Sequence, residues 1–134
     1  MSKIVDIEGI GPIYTEKLEA IGIKTTTDIL EVCGTKKGRQ ETAEKTGISE
    51  TLILEWANLA DLFRIKGVGE EYSDLLEEAG VDSIPELAQR NPDNLYEKLL
   101  EVNEEKKLVR RTPWRSSVES WVEQAKTLPR KVEH

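Results

Sequence analysis

Apolar residues along this chain recur at three- and four-residue spacing, in short runs punctuated by glycine and proline. That period is helical, and no stretch shows the sustained alternation of a strand. The densest run, 50–64, carries Leu52, Ile53, Leu54, Trp56, Ala57, Leu59, Ala60, Leu62 and Phe63. It is apolar on nearly every face, the pattern of a helix surrounded by others. Before it, 36–46 is so polar that Ala43 is its only clear apolar residue; Gly47 ends it and Ser49 is placed to cap the next helix. Further on, Asn91-Pro92 reads as an N-cap and first helical position, opening a helix over about 92–107 with Leu95, Leu99, Leu100 and Val102 apolar. Thr112-Pro113 repeats that signal, and Val118, Trp121, Val122 and Ala125 form one face before Pro129. The pattern predicts an all-α chain of seven to eight short helices around the central 50–64 helix, without a sheet.

An internal repeat organises the pattern. Residues 7–14 (Ile-Glu-Gly-Ile-Gly-Pro-Ile-Tyr) align with 65–72 (Ile-Lys-Gly-Val-Gly-Glu-Glu-Tyr), 58 positions later. Leu18 then matches Leu76, Gly22 matches Gly80, and Thr25 matches Ser83. The paired glycines permit a tight hairpin whose backbone approaches its neighbour closely. Gly22 and Gly80 are placed to stop a helix. Thr25-x-x-Asp28 and Ser83-x-x-Glu86 have the spacing of capping boxes. The expected organisation is a single domain, 1–134: a first copy at 7–30, a connecting helix pair at 36–64, a second copy at 65–88, and C-terminal helices at 92–130. With about seven residues before its hairpin, the first copy has room only for a truncated leading helix.

Two Gly-hydrophobic-Gly hairpins, each followed by a Tyr/Leu helix and a Gly stop, resemble the tandem helix-hairpin-helix fold. Further segments narrow the likeness: Gly38-Arg39, Ala43, Thr46-Gly47-Ile48, Trp56-Ala57-Asn58-Leu59-Ala60-Asp61-Leu62, Ala88-Gln89-Arg90-Asn91-Pro92, Trp121 and Ala125-Lys126. With the hairpins they resemble a bacterial family described as a domain of unknown function, DUF4332, over about residues 4–130. That resemblance implies a fold and no activity. Helix-hairpin-helix proteins in general use hairpin amides and the following helix N-terminus to hold a nucleic-acid phosphate, which favours an anion electrostatically. The residues this implies are Gly9, Ile10 and Gly11, with Gly67 and Gly69 beside Lys66 as secondary candidates.

Charge separates the copies. Glu70, Glu71, Asp74, Glu77 and Glu78 follow the second hairpin, so a phosphate there meets repulsion within a Debye length of ~8–10 Å. After the first hairpin, Pro12, Ile13, Tyr14 and Thr15 precede Glu16, which Lys17 partly offsets. The formal net charge of −7 hides a polarised chain: residues 105–131 hold eight Lys/Arg against three Glu, while those through 104 carry −11. Lys106, Lys107, Arg110, Arg111 and Arg115 interleave with Trp114, a pattern that can hold phosphates and stack a base. The bland alternative docks this loop against acidic helices, with Trp114 covering core. Residues 43–53 have helix-turn-helix spacing, but 50–64 is too apolar to lie in a groove, and Glu50 and Glu55 are poor base readers. Lys36, Lys37 and Arg39 remain candidate phosphate contacts.

No enzyme is expected. Cys33 is single and His134 is terminal, where a vector remnant is one reading, so neither a Ser/His/Asp nor a Cys/His group assembles. No metal-ligand spacing, phosphate loop or cofactor motif is present, and no small-molecule substrate is expected. No apolar run reaches the ~20 residues of a membrane span. The expected protein is cytoplasmic and non-enzymatic, binding DNA or RNA backbone; the alternative is a protein-interaction adaptor with purely structural hairpins.

Overall fold

A computed structural model describes residues 3–134. They form eight α-helices: α1 (Pro12–Glu19), α2 (Thr26–Cys33), α3 (Lys36–Thr46), α4 (Glu50–Leu62), α5 (Glu70–Glu78), α6 (Ile84–Ala88), α7 (Pro92–Lys106) and α8 (Arg115–Thr127). One 3-10 turn, Ile4–Asp6, precedes them. The described residues contain no sheet, only an isolated antiparallel bridge between Lys3 and Thr25. The chain divides into two compact units. One runs through Asp61 and takes back Arg130–His134; the other is Leu62–Pro129.

The repeated stops behave alike in both units. Ile23 N–H donates to Leu18 O and Gly22 N–H to Glu19 O, and Val81 with Leu76 and Gly80 with Glu77 do the same. Each pair closes a helix by the six-to-one and five-to-two bonds that satisfy its orphan carbonyls. The caps that follow differ. Thr25 Oγ1 accepts the Asp28 N–H at 3.1 Å while Asp28 Oδ2 accepts from Thr25 N–H at 3.1 Å and Lys24 N–H at 2.9 Å. Ser83 Oγ accepts from Glu86 N–H at 3.4 Å, but the Glu86 carboxylate is held by Arg90 at 2.9 and 3.1 Å. Arg90 has displaced the backbone from that carboxylate.

Two expectations change. α8 begins at Arg115 after Trp114, not directly at Thr112-Pro113; Pro113 is buried in the preceding loop. And α3 packs through polar residues rather than Ala43: Arg39 and Thr42 are its buried positions. Arg39 donates to Cys33 O and Gly34 O at 3.0 Å each, so a guanidinium sits on the C-terminal carbonyls of α2, where positive charge is favoured. It also donates to Glu133 O at 2.6 Å. Glu133 N–H returns a bond to Gly34 O, Glu133 Oε1 accepts the first-turn amide of Lys36, and Val132 is buried. The last residues are thereby tied to the α2–α3 junction.

The repeat extends past the hairpins into the last helix of each unit. Ile53, Trp56, Ala57 and Ala60 of α4 align with Val118, Trp121, Val122 and Ala125 of α8, 65 positions later, and all eight are buried. Tyr14 packs on Trp56 with ring centroids 5.0 Å apart, and Tyr72 on Trp121 at 5.3 Å, both tilted. Such pairs add about 0.5–1.5 kcal/mol beyond the area they bury.

Candidate functional site

The first glycine of each Gly-x-Gly turn is explained inside its own unit. Gly9 and Gly67 have φ of +93° and +95°, left-handed values that L side chains rarely adopt. A Cβ at Gly9 would stand 3.5 Å from Trp56 Nε1, and one at Gly67 would stand 3.0 Å from Trp121 Nε1. The second glycines are different. Gly11 and Gly69 are N-caps in ordinary extended backbone, and a Cβ on either meets nothing within 4 Å. No packing demand within the described residues accounts for them.

The expectation that three amides of the first turn hold an anion is corrected at Ile10. Its side chain is buried and its N–H donates to Ile7 O at 3.1 Å, as Val68 N–H does to Ile65 O. A tight turn must close its own bond, so the central amide is spent. Gly9 and Gly11 remain at the surface edge beside exposed Glu8. In the second turn, Lys66 N–H donates to Gln124 Oε1 at 2.8 Å and Gln124 Nε2 donates to Lys66 O at 3.3 Å. This side-chain amide fastens the turn to α8. Its counterpart in the first unit is Leu59, which makes no such pair.

The basic stretch splits into bound and open cations. Lys106 pairs with Glu78, which raises its ammonium pKa, and Arg115 pairs with Asp93 and with Glu119 at 2.8 Å. These two follow the docking alternative. Lys107, Arg110 and Arg111 are exposed and make no ion pair among the described residues. Their loop is nevertheless anchored. Asn103 Oδ1 accepts from Val109 N–H at 2.9 Å, Asn103 Nδ2 donates to Val109 O at 3.1 Å, and Tyr72 Oη donates to Arg111 O at 2.9 Å. Trp114 does not cover core: it is 70% exposed.

That anchored loop, the second Gly-x-Gly turn and the start of α8 border an open cleft of about 320 Å³. Lys66, Gly67, Tyr72, Arg111, Trp114 and Trp121 line it, with the hydroxyls of Thr112, Ser116, Ser117 and Ser120. No carboxylate does. Sequence reasoning placed Lys66, Gly67, Arg111 and Trp114 among the candidates but passed over Tyr72, Trp121 and the serines. The signal was the dense run of hydroxyls and cations from Arg110 to Ser117. Gly69 carries no lining role there.

The remaining candidates are dispersed. Lys36 and Lys37 are exposed at the start of α3. Arg39 is withdrawn as a phosphate ligand, because it is 4% exposed and spends its donors on three backbone carbonyls. Ser49 caps α4 through the Leu52 N–H at 3.2 Å, and the helix behind it is buried too deeply to enter a groove. Cys33 is buried with Sγ 3.5 Å from Thr42 Oγ1, and burial pushes its thiol pKa up, away from thiolate chemistry. His134 lies 2.9 Å from Asn58 Oδ1 through Nε2.

Compared with known proteins, the chain matches one described family, a domain of unknown function (DUF4332), across residues 8–128. Neither a curated protein nor a solved structure matches it. No helix among the described residues is long and apolar enough to cross a membrane.

Proposed function

The chain belongs to the DUF4332 family, and from that premise we propose a non-enzymatic helix-hairpin-helix module that binds nucleic-acid backbone weakly and without sequence preference. The observation that carries this reading is the loop after α7. Lys107, Arg110 and Arg111 stand exposed and outside every ion pair described, next to an exposed Trp114, in a chain of net charge −7. Three open cations on a loop fixed by Asn103 and Tyr72 give a local positive surface that attracts an anion. Phosphodiesters supply that charge at regular spacing, and non-specific binders use this term almost alone. The first Gly-x-Gly turn adds at most one further phosphate contact, through the amides of Gly9 and Gly11.

Fluorescence anisotropy with labelled oligonucleotides at low salt tests this. Binding is expected at protein concentrations below ~100 μM, the range of non-specific contacts, and Arg110→Glu with Arg111→Glu should abolish it. No binding at that concentration would sink the reading. A protein-interaction adaptor is the second reading, favoured by a separate observation: Ile13 is 71% exposed at the start of α1 beside exposed Pro12. Loss of partner binding on Ile13→Asp, with oligonucleotide affinity intact, would favour the adaptor.

A further inference from the structure

We propose that the cleft beside the second Gly-x-Gly turn takes one unpaired nucleotide, making the module selective for single strands. This rests on the nucleic-acid reading above and adds to it a base-sized site. Three observations converge. The cleft measures about 320 Å³, at the small end of ligand sites; that admits a nucleotide and excludes a duplex. Its ionisable cations are Lys66 and Arg111, and although the chain carries 26 Asp and Glu, none lines it. And Trp114, 70% exposed at its rim, offers an indole face that no core packing occupies.

The lining sorts by chemistry. A base stacks on Trp114, since every base has a π-face and the contact is sequence-tolerant. Its phosphate meets Arg111 and Lys66, with the hydroxyls of Ser116, Ser117 and Ser120 as further donors on α8. The turn's amides are not needed. Lys66 N–H is held by Gln124 and Val68 N–H by Ile65 O, so side chains do the binding that hairpin amides would otherwise do. Tyr72 and Trp121, packed on each other in a tilted pair, also line the cleft.

The test uses the full chain and four fluorescein-labelled probes of equal length at low salt: dT, rU, a matched duplex, and a dT strand abasic throughout its middle. Both single strands should bind at least tenfold tighter than the duplex and the abasic strand, the scale of one base–aromatic stack. Trp114→Ala should lower single-strand affinity about tenfold and leave duplex affinity unchanged. Ser120→Glu, at an exposed helical position, should do likewise by placing a carboxylate in the cleft. If duplex, abasic and intact strands bind alike and Trp114→Ala weakens none selectively, the cleft site is overturned while backbone binding stands. If no probe binds at ~100 μM, both fail.

Discussion

At the residue scale, two glycines that look alike in the sequence do different work. Gly67 combines φ +95° with an indole nitrogen 3.0 Å from where a Cβ would stand, whereas Gly69 sits in extended backbone with open space around it. Gly67→Ala is therefore expected to cost about 1–2 kcal/mol from the left-handed backbone alone, plus whatever Trp121 loses by shifting. Gly69→Ala should cost less, about 0.5–1 kcal/mol, for replacing glycine by a poorer N-cap. Urea denaturation of the two variants checks this, and equal losses would contradict it. Asp28 gives a pH-dependent case. Backbone amides of Lys24 and Thr25 hold its carboxyl below the usual carboxylate range. A depressed folded pKa means the stabilisation is complete above the unfolded value of ~3.9 and disappears as pH falls through the folded one. Asp28→Ala should cost roughly 1 kcal/mol at pH 7, as lost caps do. Its deficit against the parent chain should shrink on acidification below about pH 4, followed by thermal melts across that range.

Among elements, α3 shows how a helix with almost no apolar residues can be fastened. Its buried contacts are Thr42 and Arg39, and the guanidinium bridges the end of α2 to the chain's last residues. Replacing Arg39 with Met keeps the stem but takes a donor from the carbonyls of buried Cys33 and Gly34, at about 1–3 kcal/mol each. A loss of roughly 3 kcal/mol is expected, with faster proteolysis of residues 130–134. A loss below about 1 kcal/mol would mean the tie is ornamental. The caps, stops and helical stretches themselves were legible beforehand, because each is written within three to five residues. Arg39 was misread as a surface cation in part for the opposite reason: one of its three acceptors, Glu133 O, lies 94 residues away. The same distance effect hid the full repeat. Trp56 and Trp121 follow their turns by different intervals, since α7 is longer than α3 and the loop after it, 107–114, is longer than 47–49.

At the scale of the whole molecule, electrostatics sets how binding must behave. Lys106 and Arg115 are already neutralised within the chain, which leaves Lys107, Arg110 and Arg111 as the loop's contribution. Three phosphate contacts on a single strand give a slope of about −2 in log affinity against log salt. Affinity should fall about twentyfold between 50 and 200 mM salt. A flat salt response in anisotropy titrations would point to an uncharged interface and favour the adaptor.

The amino-acid sequence by itself determined the all-α class, the two Gly-x-Gly copies, and the caps and stops that bound each helix. Those are local: one period, one left-handed glycine or one side chain reaching its own backbone decides them. Only the tertiary structure decided which cations stay open, because Glu78 and Asp93 lie 28 and 22 residues from the partners they neutralise. It also decided that the two copies differ in a way charge counting did not foresee. The carboxylates after the second turn leave the cleft clear, while Arg111, Trp114 and the serines of α8 are brought to it. The run from Arg110 to Ser117 is visible along the chain, but its meeting with Lys66 and Gly67 depends on how α8 packs against the turn, which no spacing encodes.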